Sequence, residues 1–311
     1  MILTVTMNPS VDISYPLDSF LTDQVNRCER TVKTAGGKGL NVTRVIHQME
    51  RPVVATGLLG GALGVFIEEQ LESSQIGHHF SKIKGDTRNC IAVLHDGGQQ
   101  TEILEAGPTV SEEELKQFEA VFEEEANQAK VVTISGSLPK GAPKGYYVTL
   151  LESLKESSAK VVLDTSGQSL EDVLNSVSKP YAVKPNLEEL EALTGKNIEL
   201  NEDELIEILN DSLFEGISLI LVSLGKDGAF VKYMDTFYRV RIPKIDVVNP
   251  VGSGDSTVAG LAIALSEEAD IETILKTAMT LGMLNTMESQ TGFVNKDDFD
   301  VYFNQVEVNR V

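Results

Sequence analysis

The sequence predicts an α/β protein with a mostly parallel central sheet covered by helices on both faces. After Gly107, short β-rich runs alternate with helical segments, which is the pattern of strand–helix–strand units. The composition is that of a globular protein, with 41% hydrophobic and 23% charged residues. At 311 residues, the chain is long enough for one large core or for one domain with a small appendage.

The first third of the chain predicts strands that end in glycine-containing turns. ILTVTM has the composition of a buried strand, and SVDISYPL alternates as a half-buried strand does. We predict a further strand over VNRCERTVK, a helix over LNVTRVIHQM, a strand over VVATGLLG and a helix over GVFIEEQLESS. TRNCIAVLH and QQTEILE flank Asp96, Gly97 and Gly98, which predicts a hairpin.

The remainder predicts the α/β core. Ser111 with Glu114 matches a capping box at the start of a helix, and Asn201 marks another helix start. From Asp255 onward the pattern is mostly helical. The strands predicted between these helices are KVVTIS, KVVLDT, YAVK and SLILVSL, followed by a hairpin-like pair, GAFVKYM and TFYRVRI.

The two early strand pairs have no helices between them, so we predict that they form a small antiparallel sheet beside the core. The predicted division assigns residues 1–9, 36–84 and 107–311 to the core and residues 10–35 and 85–106 to a β-sheet lid. A sheet of this size would leave one apolar face open, and either a second copy of the protein or a bound ligand could cover it.

The net charge disfavours two classes of partner, and the few cysteines indicate a reducing environment. The formal net charge of −21 disfavours nucleic acids and anionic membrane surfaces, so we expect neither as a partner. A site for a phosphorylated metabolite would have to gather its cations locally. No basic leader or membrane-spanning run is found, so we expect a cytoplasmic protein in which Cys28 and Cys90 are reduced thiols.

The segment NPVGSGDSTVAG carries the strongest functional pattern. Gly252, Ser253 and Gly254 precede Asp255 at the start of a predicted helix, where backbone N–H groups and the helix dipole favour an anion. A carboxylate at this place can accept the proton of a hydroxyl that attacks a phosphate. The simpler alternative is a tight turn with an Asp cap.

A second glycine-rich loop, KTAGGKGLNVTR, leads into the first predicted helix. It is not a Walker A loop, because Gly39 follows the lysine where Ser or Thr is required. It is either a flexible turn or a second anion or sugar site, with amides from Gly36 and Gly37, the charge of Lys38 and the amide of Asn41. Three strand residues could be solvated or could bind sugar hydroxyls and phosphate: Asp12, Arg27 and Arg88.

Three further loops follow predicted strands, and ligands bind at the carboxyl ends of parallel strands in open α/β sheets. In VKPNLEEL, Asn186 and Glu189 either cap a helix or hold waters around Mg²⁺. In SLGKDGA, Gly225 and Gly228 are either hairpin glycines or close neighbours of a nucleotide. ISGSLPKG ends another strand in small residues.

In their order and spacing, GGKGLNV, SGSLPKG, KPNLEEL, VSLGKDGA and NPVGSGDS resemble the motifs of the ribokinase-like (PfkB-type) carbohydrate kinases over essentially the whole chain. The resemblance implies a three-layer α/β/α core with a small β-sheet lid that is often shared in a dimer. It implies ATP as co-substrate, Mg²⁺ and a sugar phosphate beneath the lid, and it leaves the need for a monovalent cation open.

The resemblance also implies roles for individual residues. Asp255 is the catalytic base, and the amides of Gly252, Ser253 and Gly254 form the anion hole. Around the metal, Asn186 and Glu189 hold water. Along the nucleotide lie Lys184, Asn186, Ser223, Gly225, Gly228, Gly252, Gly254 and, at its adenosine end, Asn285. The substrate-binding set is Asp12, Gly36, Gly37, Lys38, Asn41, Arg88, Arg27 and Ser137.

The implied reaction is transfer of the ATP γ-phosphoryl group to the C1 hydroxyl of a ketohexose 6-phosphate. We expect D-tagatose 6-phosphate as the acceptor, with fructose 1-phosphate and fructose 6-phosphate as alternatives. Val25 stands where related kinases carry a phosphate-binding lysine and Lys38 replaces a glycine, which indicates a relocated cation. A dehydrogenase is disfavoured because TMNPSV lacks the required glycines, and a non-catalytic sugar-phosphate sensor would not need Asp255.

Overall fold

The computed structural model describes residues 1–198 and 201–311. The strands in these ranges are β1 (Ile2–Thr6), β2 (Ser10–Pro16), β3 (Val32–Gly36), β4 (Val53–Leu59), β5 (Gly77–Lys82), β6 (Arg88–His95), β7 (Gln99–Leu104), β8 (Val131–Ser135), β9 (Lys160–Asp164), β10 (Ala182–Val183), β11 (Leu219–Ser223), β12 (Ala229–Tyr233), β13 (Thr236–Arg241) and β14 (Glu307–Arg310). The helices are α1 (Lys38–Gln48), α2 (Gly61–Ser73), α3 (Glu112–Ala126), α4 (Tyr146–Ser153), α5 (Gly167–Leu174), α6 (Leu187–Thr194), α7 (Glu202–Leu209), α8 (Ser253–Ser266), α9 (Ile271–Thr286) and α10 (Phe299–Phe303).

The main sheet has ten strands in the order β14-β13-β12-β11-β10-β9-β8-β1-β4-β5. The strands from β5 to β11 in this order run parallel, and β12, β13 and β14 extend the sheet as antiparallel strands. From β1 the chain continues outward through β4 and β5, and it later returns to β8 on the other side of β1. This reversal opens a crevice at the carboxyl ends of β1 and β8, where ligands bind in such sheets.

The hydrophobic core forms two clusters, one on each face of this sheet. Successive side chains of a strand point to opposite faces, so Ile2 belongs to one cluster and Leu3 to the other. The first cluster holds the apolar sides of α1, α8 and α9, and the second holds those of α3 to α7. The predicted three-layer α/β/α architecture with a mostly parallel sheet is confirmed.

The second sheet has four strands in the order β3-β2-β6-β7. Strand β2 is antiparallel to β3 but parallel to β6, so the expectation of an antiparallel sheet was wrong in this pair. The cause is the main sheet. Strands β2 and β6 follow β1 and β5, which belong to its parallel part, and they therefore leave the core in the same direction.

The predicted strand over residues 25–33 lies instead at Val32–Gly36, where Ser10 pairs with Gly36 and Ser14 with Val32. A strand needs a neighbour to pair with, and Val25 is 75% exposed and pairs with no strand among the described residues. Strands β5 and β14 were not predicted. The division of the chain into core and lid domains stays a prediction, although a small second sheet is present.

In the described part of the chain, every helix is too short or too polar to span a lipid bilayer.

Candidate active site

A cavity of about 970 Å³ lies between the carboxyl edge of the main sheet and one face of the small sheet. Each of the central parallel strands contributes a polar residue at its end, because all of these strands terminate at the same edge. These residues are Thr6, Ser135, Asp164 and Ser223 at the ends of β1, β8, β9 and β11, and Lys184 directly after β10.

The start of α8 is where NPVGSGDS predicts an anion site. Gly252 adopts a φ of 84°, a conformation that suits glycine, and it turns the chain into the helix. The N–H groups of Gly254 and Asp255 have no hydrogen-bond partner among the described residues, as is usual in a first helical turn. The ammonium of Lys184 lies 3.2 Å from the position that a Cβ on Gly254 would occupy. Amides and a cation therefore meet at the helix start.

Asp255 is buried in this first turn and accepts a hydrogen bond of 2.8 Å from Nδ2 of Asn41 on α1. Burial raises the pKa of Asp255 to about 7, and the nearby charge of Asp164 adds to the rise. Lys38, Asn41 and Lys184 oppose it. A carboxylate whose pKa lies near neutrality can accept a proton and release it again at physiological pH.

Two lysines share the buried carboxylate of Asp164. Nζ of Lys38 lies 3.4 Å from Oδ2, and Nζ of Lys184 lies 3.3 Å from Oδ1. Burial disfavours the charge on Asp164, but the two cations outweigh it and lower the pKa of this carboxyl. Burial also opposes the charge of Lys38, whereas Asp164, Asp255 and Glu189 together raise the pKa of its ammonium. Lys38 therefore stays charged beside Asp255.

Asp12 projects from β2 into the cavity. It accepts a hydrogen bond of 2.6 Å from Oγ of Ser10, and burial raises its pKa despite the nearby Arg44 and Arg88. Gly36 on the neighbouring strand β3 pairs with Ser10 and explains how this carboxylate fits, because a Cβ on Gly36 would lie 2.0 Å from Cγ of Asp12. Gly36 thus makes room for Asp12, and it is Gly37 that lines the cavity.

Arg88 lies at the start of β6 with its guanidinium held by the backbone. Nη1 donates to the carbonyl of Glu105 and Nη2 to that of Asn8, whereas the buried Nε has no partner among the described residues. The amide of Asn8 also donates to Oγ of Ser137, at 3.5 Å. Arg88 and Ser137 both line the cavity beneath the small sheet, and their role in binding a substrate phosphate stays a prediction.

Asn186 and Glu189 form a complete capping box at the start of α6, so the simpler of the two interpretations describes their contacts. Oδ1 of Asn186 accepts from the Glu189 N–H, and Oε2 of Glu189 accepts from the Asn186 N–H. The capping bonds leave Oε1 of Glu189 without a hydrogen bond to a described residue, and both side chains line the cavity. One free carboxylate oxygen there fits a water-mediated Mg²⁺ site.

Three predicted site residues lie elsewhere. Arg27 is exposed in the segment between β2 and β3 and does not line the cavity. Gly228 faces β13, where a Cβ would lie 2.2 Å from the carbonyl oxygen of Val240, so packing explains this glycine. Asn285 is fully buried in α9, and its amide donates to Val251 O and accepts from Gly292 N–H. Asn285 thus joins the loop before α8 to the loop after α9, and its side chain does not line the cavity.

Two charged residues of the site were missed. Asp164 ends the predicted strand KVVLDT, and the rule that ligands bind at strand ends could have identified it. Arg44 lies three residues after Asn41 on α1 and is half-buried, which the apolar pattern of that helix did not reveal. The remaining predicted residues of the two glycine-rich loops line the same cavity, together with Ser223 and Gly225. They are Gly37, Lys38 and Asn41 from the first loop and Gly252, Ser253, Gly254 and Asp255 from the second.

Comparison with known proteins shows what this arrangement is similar to. The chain is 53% identical to a tagatose-6-phosphate kinase of Staphylococcus epidermidis over 311 residues, which is 100% of both chains. Phosphofructokinase-2 from Escherichia coli, solved with potassium, has a TM-score of 0.90 and 27% identity, covering 97% of this chain and 98% of that one. The same enzyme solved with fructose-6-phosphate gives a TM-score of 0.88 at 26% identity over the same shares.

The family assignment rests on a match of nearly the whole chain. The family described as pfkB family carbohydrate kinase matches residues 5–298, which contain both glycine-rich loops and every charged residue of the cavity. The predicted membership and the predicted phosphotransferase class are confirmed. This chain belongs to the pfkB family of carbohydrate kinases.

Proposed function

We propose that the protein transfers the γ-phosphoryl group of ATP to the C1 hydroxyl of D-tagatose 6-phosphate, giving the 1,6-bisphosphate in the cytoplasm. The observation that carries the proposal is the buried carboxylate of Asp255 beside unpaired amides and two lysines. The 53% identity to a tagatose-6-phosphate kinase supports the choice of acceptor. Fructose 6-phosphate is the second candidate, because a related structure holds it.

Asp255 acts as the base in this reaction. As the C1 oxygen forms its bond to the γ-phosphorus, the bond from that phosphorus to the bridging oxygen of ADP breaks, and the hydroxyl proton passes to Asp255. The pKa of about 7 suits this transfer, because the deprotonated form is well populated at neutral pH. Asn41 holds one oxygen of the carboxylate, leaving the other for the hydroxyl.

The transferred group carries charge on its equatorial oxygens, and the site supplies fixed partners for that charge. The N–H groups of Gly254 and Asp255 point from the helix start, and Lys184 lies over Gly254. Lys38 faces the same place, because Asp164 and Asp255 both interact with its ammonium. We therefore assign Lys38 to the transferred phosphoryl group, and Arg88 to the phosphate that the sugar already carries.

Magnesium would neutralise charge on the ATP phosphates when bound. Glu189, with Asn186 beside it, would hold it through water, since Glu189 keeps one oxygen free of its capping bonds. Protein residues do the remaining work, with Asp12 orienting sugar hydroxyls from the small sheet and the lysines fixing the phosphates.

The acceptor is tested by measuring kcat/KM in a coupled ADP-release assay with tagatose 6-phosphate, fructose 6-phosphate and fructose 1-phosphate. We expect the highest value for tagatose 6-phosphate. A higher value for either fructose phosphate would overturn the choice of sugar, and ADP release from none of them would overturn the proposed function.

We also propose that the protein forms a homodimer through the small sheet. Val32, Leu94 and Leu104 are 51%, 38% and 61% exposed, and all three lie on the face of the sheet that borders the cavity. Apolar side chains this exposed on a small sheet need a cover, and a second copy supplies one. Light scattering should give twice the mass of 33.8 kDa, and a Leu104→Glu variant should give the mass of one chain.

Replacing Gly36 by Ala is expected to weaken sugar binding. The new Cβ would lie 2.0 Å from Cγ of Asp12, so the carboxylate must leave its place beside Ser10. Losing one charged hydrogen-bonding group should raise the KM for the sugar phosphate roughly tenfold or more. The KM for ATP should change little.

Gly77→Ala is the matched control, because a Cβ there meets only ordinary contacts, the nearest at 3.4 Å from the Val53 carbonyl oxygen. Its kinetic constants should stay close to those of the wild type. If Gly36→Ala bound the sugar phosphate normally, Asp12 would not be the sugar contact.

A further inference from the structure

The guanidinium of Arg44 joins three segments behind the catalytic base. It donates to Oδ1 of Asn41 at 3.2 Å, to the carbonyl of Thr291 at 3.0 Å and to the carbonyl of Ala35. Thr291 belongs to the loop after α9, and Ala35 belongs to β3. Burial lowers the pKa of this guanidinium although Asp12 and Asp255 oppose the change. Arg44 is half-buried, and a partly desolvated cation with three acceptors is costly unless each contact is kept.

The contact with Asn41 settles which way its amide faces. Arginine offers only donors, so Asn41 must present its oxygen to Arg44. The opposite end of the amide, Nδ2, is then turned toward Asp255, to which it donates at 2.8 Å. An ionised carboxylate only accepts, so the two contacts are compatible in this one orientation.

Close packing keeps the pair in place. The loop glycine Gly292 lies so near that a Cβ on it would be 2.8 Å from Nη1 of Arg44 and 3.0 Å from Cβ of Asn41. With its oxygen end turned toward Asp255, Asn41 could accept a hydrogen bond only from the protonated carboxyl. That orientation would stabilise the form of Asp255 that cannot act as a base.

We propose that Arg44 is a positioning residue that fixes the amide of Asn41, so that Nδ2 donates to the Asp255 carboxylate and aims it at the acceptor hydroxyl. The inference rests on the proposed function, in which Asp255 is the base. Other charged groups also face Asp255, namely Asp164 from the end of β9, Lys38 from α1 and Lys184 after β10. Both lysines are paired with Asp164, so neither can replace Arg44 at the oxygen of Asn41.

The test is the pH profile of kcat at saturating substrates for Arg44→Met and Arg44→Lys. Losing the oriented hydrogen bond to an ionised carboxylate should move the acidic limb upward by about one pH unit, which lowers kcat about tenfold at pH 6. At pH 8.5, where Asp255 is ionised in any case, kcat should stay within a few-fold of the wild type. Arg51→Met is the control, because Arg51 pairs with Glu267 outside the cavity, and its limb should not move.

Asn41→Ala and the double variant with Arg44→Met separate positioning from a merely structural role. If Arg44 acts through Asn41, the double variant should have the same limb as Asn41→Ala. A limb that does not move in the Arg44 variants, or effects that add, would overturn the inference. If Arg44→Met does not fold, Arg44→Lys tests the inference instead. Its single ammonium cannot reach all three acceptors, so the acidic limb of its kcat profile should still move upward. In the same assay, an active Asp255→Asn would refute the base itself, whereas an inactive one with unmoved Arg44 limbs would refute only this inference.

Discussion

Asp255→Asn is expected to fold, to bind ATP and to lose turnover by about 10²- to 10⁴-fold or more. The amide cannot take the proton of the acceptor hydroxyl, and among the described residues Asn41 donates to no carboxylate other than Asp255. The loss should appear in kcat at saturating substrates, measured as ADP release. The KM for ATP should change little, because the amides and Lys184 that we propose bind the phosphates remain.

The control for this variant is Asp300→Asn, the same chemical change at an exposed position of α10. It should leave kcat unchanged. Turnover by Asp255→Asn within a few-fold of the wild type would remove Asp255 from the mechanism and with it the main support for the proposed function.

Asp255→Asn should also be more stable than the wild type above pH 7. Because the pKa of Asp255 is raised from 3.8 to about 7, the folded state holds its proton more tightly than the unfolded state does. Keeping the carboxylate ionised in the folded protein therefore costs up to about 4 kcal/mol above pH 7. Urea unfolding should show this gain growing between pH 4 and pH 7 and vanishing in more acidic solution. An equal stability of both proteins at pH 8 would mean that Asp255 is not held in an unfavourable environment.

What the sequence predicted correctly is local in the chain. The run GSGD and the start of α8 occupy consecutive residues, so Asp255 and its amides follow from one motif. The alternation of strands and helices predicted the parallel sheet for the same reason, because one strand–helix–strand unit occupies only about thirty consecutive residues. The strand ends then placed several loops at one edge without any knowledge of contacts.

The contacts that could not be predicted join residues far apart. Lys38 and Asp164 are separated by 126 positions, and Asn41 and Asp255 by 214, so no spacing rule relates them. The position of β3 is of the same kind, because pairing with β2 rather than the pattern of residues 25–33 decides it. Asn285 and Gly228 resembled ligand contacts in the motifs, and packing explains them instead.

Asp164→Asn is the second substitution with a large expected effect, because one buried carboxylate pairs with both lysines of the site. Removing one member of a buried ion pair typically costs about 3–5 kcal/mol, and we expect the lower end, since the Lys38 side chain is 42% exposed and water can screen it. Asp164 has a lowered pKa, so its stabilisation is present above 3.8 and is lost as the pH falls below that value. Urea unfolding at pH 7 should therefore show the full loss, with Asp300→Asn as the control.

Asp164→Asn should shift the acidic limb of the kcat profile in the direction opposite to the shift expected for the Arg44 variants. The negative charge of Asp164 raises the pKa of Asp255, and the freed lysines would favour the ionised form still more. The acidic limb of the kcat profile should thus move to lower pH, whereas the Arg44 variants should move it higher. A general loss of folded protein would lower kcat in both variants but would not shift the acidic limb of either profile. Opposite shifts in the two variants would therefore show that both substitutions act on the pKa of the same base. If both moved the limb the same way, the titration would belong to a group other than Asp255.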